Sequence, residues 1–181
     1  AESFRLLFEN NPVPMWVVDK ESHKYIDVNT AALEHYGYTR DEFLNMTLLD
    51  IRPSSEYQRI LEDARTNFGI DSGEQDWTHL KADGTEIIVC TYAKPIKYHN
   101  RDAAIVSAID VTERRKQDAR IQYLAEHDAL TGLPNRRLFL DLLSSSLSRK
   151  TQIAYCTSII LIDIDDFKGI NDTLGHQVGD D

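Results

Sequence analysis

Over its first hundred residues the chain alternates short apolar runs with polar punctuation. Phe4, Leu7 and Phe8 recur at helical spacing and predict a short amphipathic helix, while Met15–Val18 and Tyr25–Val28 flank the polar turn Lys20–Lys24 and predict two strands. Asn29 opens a helix through Tyr36. Thr39-Arg40-Asp41-Glu42 is a capping box ahead of Phe43 and Leu44, and Pro53–Ser55 start a longer helix through about Asn67. Trp77–Lys81 and Glu86–Tyr98 then flank Asp83-Gly84, whose chemistry suits a tight hairpin turn, and Ala103–Ile109 follows the polar turn His99–Asp102. Two strands, short helices and three strands predict an α+β domain.

The pattern changes after Ile109. Asp110-Val111-Thr112-Glu113 leaves the last strand and enters a helix through about Glu126, with Asp110 or Thr112 as cap. Ile121, Leu124 and Ala125 form an apolar stripe that Arg114, Gln117 and Asp118 continue with polar residues at heptad-like spacing. Polar seam positions weaken a coiled coil and leave its register adjustable. A loop, TGLPNR, precedes a helix over Arg136–Leu147. Ile153–Ile164 is apolar on both faces, as in a central strand covered on each side. At its end Asp163 and Asp165 lie two apart, so strand geometry projects both carboxylates to one side, and Asp166 is placed to cap a helix from Phe167. Ligands of open α/β sheets bind beyond the carboxyl ends of strands, where a helix N-terminus offers free N–H groups to phosphate and a carboxylate can hold Mg2+ against a nucleoside triphosphate.

Composition narrows the function classes. The 181 residues are 41% hydrophobic with a formal net charge of -10, and pI is near 5.0. Such a surface repels nucleic acid and anionic lipid, and the basic cluster Arg114–Lys116 is too short to reverse this; direct DNA binding is not expected. No run approaches a membrane span and no signal peptide is visible, so a cytoplasmic location is expected, with any membrane anchor lying upstream in a longer protein. Cys90 and Cys156 form no C-x-x-C and are expected to be reduced thiols.

NPVPMWVVD, VNTAALEHYGYTRDEFLNM and DIRP closely resemble a PAS sensor domain over about residues 3–112, and Asp110-Val111-Thr112 matches the D-x-T exit motif of PAS domains joined to output domains. The resemblance implies an antiparallel sheet with flanking helices and makes Asp110 and Thr112 candidates for signal coupling. The flavin-binding NCRFLQ string is absent, and the long helix Pro53–Asn67 lacks the His that haem PAS domains use, so no haem or flavin is expected. His35 and His79 are read as structural or surface histidines, and Trp16, Trp77 and Tyr92 as core. The sequence does not name the PAS ligand.

EHDALTGLPNRRLF (Glu126–Phe139) and LIDIDDFKGINDTLGHQVGD (Leu161–Asp180) together resemble the first third of a GGDEF domain, the family of diguanylate cyclases that join two GTP molecules into cyclic di-GMP. An incomplete α/β domain is implied, with its GG(D/E)EF hairpin and the RxxD product-inhibition motif expected beyond residue 181; the chain itself is expected to be an inactive piece of a larger bacterial signalling protein. By this likeness Asp163 is the catalytic carboxylate and ligates Mg2+ or Mn2+, Ile164 ligates through its carbonyl, and the N–H groups of Asp166 and Phe167 face the triphosphate. Lys168 adds positive charge, Asn171 and Asp180 read guanine, whose donor and acceptor edges suit an amide and a carboxylate, and His176 is structural.

The organisation expected is therefore a PAS sensor over 1–112, a signalling linker helix over 113–126 and a truncated GGDEF domain over 127–181, less stable than the first. One cyclase site holds one GTP, so a homodimer through the PAS domain and parallel linker helices is expected, the linker setting the rate through geometry. One alternative is a degenerate GGDEF module that binds GTP and controls another domain, such as a cyclic di-GMP phosphodiesterase further along. Another is a sensor kinase using His127 as phosphoacceptor, against which the break Gly132-Leu133-Pro134 interrupts the helix such a kinase would continue.

Overall fold

The structure, a computed structural model, describes residues 2–66, 76–148 and 158–180. It contains α1 (Glu2–Glu9), β1 (Met15–Asp19), β2 (Tyr25–Val28), α2 (Thr30–Tyr36), α3 (Arg40–Asn45), a 3-10 turn (Ser54–Glu56), α4 (Tyr57–Thr66), β3 (Asp76–Leu80), β4 (Glu86–Tyr98) and β5 (Arg101–Asp110), followed by α5 (Thr112–Glu126), α6 (Arg136–Ser148), α7 (Phe167–Leu174) and α8 (His176–Asp180). It divides into two compact units, 1–117 and 118–181, with the boundary inside α5.

In the first unit five strands form one antiparallel sheet in the order β2-β1-β5-β4-β3. The α+β order read from the sequence is observed, with each strand within two residues of its expected bounds. Local chemistry sets the connections. Gly84 takes φ +83 in the β3–β4 turn, where Thr85 N donates to Asp83 Oδ1 at 2.9 Å. The β4–β5 turn is tighter than expected: only His99 and Asn100 connect the strands, both with positive φ (45° and 61°), the left-handed pair that matches strand twist in a two-residue hairpin. Pro95 falls in β4 beyond the stretch paired with β3, where β4 has β5 on one side only and a missing N–H is tolerated.

α2, α3 and α4 pack over one sheet face around Trp16, whose ring meets Tyr25 and Tyr36 edge-on at centroid distances of 5.9 and 5.8 Å, with Phe43 at 6.2 Å, while Phe8 of α1 packs with Val17 and Ala103 in a second cluster on the other face. Asn29 fixes three segments at once. Its Oδ1 accepts from Met15 N and from Ala32 N, both at 2.9 Å, which is the N-cap of α2, and its Nδ2 donates to the carbonyls of Phe8, Asn11 and Val13. Thr39 and Glu42 make the reciprocal capping box of α3 as expected.

The second unit departs from expectation in one element. Residues 158–164 have no regular secondary structure, and Ile160, Leu161 and Ile162 are 83%, 94% and 84% exposed, so the described part of the anticipated strand is not a strand. The rest of Ile153–Ile164 lies outside the described residues. A two-faced apolar strand needs ladder partners and a cover on each side, and no strand among the described residues of this unit supplies either. None of the described residues of α5, α6, α7 or α8 is buried.

Candidate functional site

Three places hold the residues singled out by sequence. The first is the junction where β5 becomes α5. Asp110 Oδ1 accepts from Thr112 N at 2.9 Å, closing the turn, while Val111 N donates to Ile88 O at 2.9 Å. Thr112 is already helical, so it does not cap; its hydroxyl accepts from Ile88 N at 2.8 Å and binds the helix start to β4. Arg115 adds a two-pronged contact one turn along, Nε and Nη2 reaching Asp76 at 2.7 and 3.1 Å. His35 Nε2 lies 3.2 Å from Asp110 Oδ2 without hydrogen-bond alignment, a contact that is an ion pair only when the imidazole is protonated.

Electrostatics at the junction follows from these contacts. Burial works against the Asp110 charge, but the hydrogen bonds from Thr112 and the nearby His35 and Lys81 prevail and hold its carboxyl below the usual range. Burial lowers the His35 pKa, Lys81 adds to this, and Asp110 opposes both. His79, expected to be structural, is fully buried, with Nδ1 at 2.8 Å from the Tyr36 hydroxyl. Burial, reinforced by Arg52, pushes its pKa well down, so it is neutral at pH 7.

The second place is the loop after α5, which is a built turn. Asp128 Oδ1 accepts from the N–H groups of Leu130 and Thr131 and from the Thr131 hydroxyl, and Gly132 takes φ +67. Asn135 donates through Nδ2 to Ala125 O at 2.8 Å and through its backbone N–H to Glu126 O at 2.8 Å, satisfying two carbonyls at the C-terminal end of α5. Its Oδ1 accepts from Leu138 N at 3.1 Å in the first turn of α6. His127 stacks on Tyr123 at 4.0 Å and 11°.

The third place is 163–180. Asp163 and Ile164 are exposed on a segment without regular secondary structure, so the strand geometry from which same-side projection of Asp163 and Asp165 was expected is absent. Asp166 stands at the N-cap of α7, but with φ 55° and no side-chain capping bond, contrary to its expected role. Its carboxylate instead folds beside Gly169, where an added Cβ would come within 2.5 Å of Oδ2. Phe167 and Lys168 occupy the first turn of α7, and Asp180 ends α8, exposed. Asn171 faces Gly179, where a Cβ would meet its Oδ1 at 1.9 Å, and that Oδ1 is buried without a hydrogen-bond partner. The oxygen donors of Asp163 and Ile164 suit a hard divalent cation in kind, but among the described residues no group of three or more His, Cys, Asp or Glu assembles.

Sequence reasoning missed Arg52. It is 4% exposed, stacks 5.6 Å over Trp77, donates through Nη1 to Leu48 O, and leaves Nε without a partner. The available signal was an arginine closing the apolar run Leu48, Leu49, Ile51. No described helix is long and apolar enough to cross a membrane.

Comparison with known proteins yields two family matches in order: a PAS domain over residues 2–71 and the family described as diguanylate cyclase, GGDEF domain, over 125–181. The chain is 32% identical over 177 residues to Diguanylate cyclase DgcM of Escherichia coli K12, covering 96% of this chain and 43% of that protein. It is 37% identical over 76 residues to Cyclic di-GMP phosphodiesterase PdeR of the same organism, covering 42% of this chain and 11% of that protein. The chain thus spans less than half the length of these relatives. Among solved structures, the PAS domain of a protein from Colwellia psychrerythraea superposes with a TM-score of 0.54 at 19% identity, over 62% of this chain and 98% of that one.

Proposed function

We propose that this chain, a PAS domain followed by the opening segment of a GGDEF domain, is the sensor and linker portion of a diguanylate cyclase that makes cyclic di-GMP from two GTP. The observation that carries the reading is the near-complete coverage of the chain by its similarity to DgcM, from the PAS domain through the linker into the GGDEF segment. In the complete protein, Asp163 and the Ile164 carbonyl would hold the divalent cation, which supplies charge neutralisation on the triphosphate. The N–H groups of Asp166 and Phe167 face the phosphates, Lys168 contributes charge, and Asn171 and Asp180 pair with the guanine edge. The unpartnered Oδ1 of Asn171 supports that assignment, since a base N–H would satisfy it.

Two such sites must meet for two GTP to react, so a homodimer is part of the proposal. Exposed Ile121 and Leu124, 66% and 53% accessible, give the linker helix an apolar face for a second copy. Asp110 and Thr112 couple the sensor to this helix. The PdeR match favours a second reading, in which a degenerate GGDEF segment binds GTP and controls a phosphodiesterase domain.

Cyclic di-GMP formation and GTP binding by the complete protein decide between them. Asp163→Asn is expected to cut turnover by about a thousandfold or more while folding and dimerisation persist. Asn171→Ala should weaken GTP relative to ATP, and Asp110→Ala should disturb coupling with GTP affinity nearly unchanged. Full synthesis by Asp163→Asn would overturn the metal assignment. An unmodified protein that binds GTP but makes no product would replace the cyclase with the binding module.

A further inference from the structure

His35 sits in the last turn of α2, its ring edge-on to the buried Tyr36 at a centroid distance of 5.3 Å, and Ala82 N donates to Tyr36 O at 2.8 Å, which fixes that turn against the β3–β4 connection. The imidazole Nε2 is buried, has no hydrogen-bond partner and stands 3.2 Å from Asp110 Oδ2. That separation suits a hydrogen bond, and only the alignment is missing. The other oxygen of the same carboxylate already accepts from Thr112 N at 2.9 Å where α5 begins, and Asp110 pairs with Val89 in the sheet. One side chain thus stands between the end of α2 and the root of α5. A neutral imidazole carries a single N–H, and placing it on Nδ1 would turn a lone pair at Nε2 towards the carboxylate, so Asp110 selects the Nε2–H form. A second proton, on Nδ1, makes the same contact charge-assisted and roughly twice as strong.

We propose that His35 is a positioning residue for Asp110, a proton-operated tie that fastens the root of α5 to the end of α2 when the imidazole is charged and holds it weakly when neutral. A packing role accounts for the Tyr36 contact, but not for a buried Nε2 aimed at the carboxylate that closes the turn into α5. The surrounding charges set where the tie operates. Lys81 acts on both groups from the β3–β4 connection, Lys116 of α5 interacts with Asp110, and Glu86, Glu113 and Arg114 line the same groove as Asp110; Tyr36, whose pKa burial raises, stays neutral. Burial and Lys81 outweigh Asp110, so His35 takes its proton below the ordinary 6.5. Its contribution to the stability of the whole fold is therefore present above that pH and lost as the pH falls, while Asp110 offsets part of the cost and is held harder in return.

The test is a pH titration of the whole chain between about pH 8 and 5, following the His35 ring nitrogens and the Thr112 amide by NMR in the parent, Asp110→Asn and His35→Gln. Asp110 stays ionised throughout this window, because its carboxyl is held below 3.8. Expected are the Nε2–H form at neutral pH, a midpoint below 6.5, and a proton bound at least about threefold more weakly in Asp110→Asn. The Thr112 amide resonance should move with the His35 midpoint in the parent and lose that movement in His35→Gln. A neutral ring protonated on Nδ1, an unchanged proton affinity in Asp110→Asn, or an unchanged Thr112 movement in His35→Gln would overturn the proposal. If Asp110→Asn does not fold, the tautomer and the Thr112 comparison still decide. That the tie reaches the output rests on the coupling role proposed for Asp110, whereas these readouts involve residues of the first unit and no nucleotide, so the two can fail separately.

Discussion

Both units of this chain are rich in large apolar side chains, yet only one hides them. In the first, Trp16, Tyr25, Tyr36, Phe43 and Ile51 are at most 1% exposed; in the second, Ile160, Leu161 and Ile162 are at least 83% exposed. Hydrophobic content therefore does not decide burial. The first unit codes its partners nearby: the β3–β4 and β4–β5 hairpins close across turns of a few residues, so each strand meets a neighbour that satisfies its N–H and C=O groups. The apolar segment of the second unit is built for a two-sided sheet, whose strands are joined through longer crossovers, and no described residue offers it an edge.

The largest test of this contrast is truncation of matched apolar side chains. Phe43→Ala should destabilise the first unit by about 3–5 kcal/mol, whereas Leu161→Ala should change stability by less than about 0.5 kcal/mol, both measured by denaturant unfolding of the chain. A large cost for Leu161→Ala would show that this segment is covered in solution and would break the comparison. Asn29→Ala comes next, at about 2–3 kcal/mol, because it removes the cap of α2 and also leaves the Met15 N–H without its side-chain acceptor.

Acidification should sharpen the difference further. His79 is buried neutral with its pKa far below the ordinary 6.5, so below pH 6.5 the unfolded chain binds a proton that the native state refuses. Its stabilisation is fully present above that pH and is lost as pH falls, at a limiting slope of about 1.4 kcal/mol per pH unit. Hydrogen exchange between pH 7 and 5 should show this loss in the strands of the first unit, and His79→Gln should flatten it. The Asp110 carboxylate, held low, contributes stability that disappears only below its ordinary 3.8, so the two effects separate on the pH axis. The smallest effect is expected for Arg115→Ala. Its pair with Asp76 is about half and one-third exposed, which limits the loss to roughly 0.5–1 kcal/mol in first-unit unfolding.

What the sequence disclosed follows the same division. The capping box at Thr39 and Glu42, the Asp83-Gly84 turn and the N-cap Asn29 were legible because each is local chemistry completed within a few residues. The long-range polar contacts were not: nothing in a linear pattern says that Arg52 is buried against Trp77, that His35 faces Asp110, or that Thr112 turns its hydroxyl to Ile88 and leaves the turn to Asp110. Periodicity also misjudged 158–164, since an apolar run states a need for cover without supplying it. In the second unit the helix from Phe167 was legible, but the second helix His176–Asp180 that carries Asp180 and the left-handed backbone of Asp166 were not.

The anchorage of α5 has a mechanical consequence. The helix runs 15 residues, about 22 Å, and its first turn is clamped at Thr112 and Arg115 while the rest of its length is solvent-exposed. It is thus a cantilever with its fulcrum on the edge of the sheet. A tilt of only about 5° at the fulcrum, the scale of a small rearrangement among β3, β4 and the helix start, would displace the far end by roughly 2 Å. In the proposed dimer a displacement of that size is the scale of the small helix shifts that repack subunit interfaces, so a motion too small to expose the core of the first unit would be amplified along the linker.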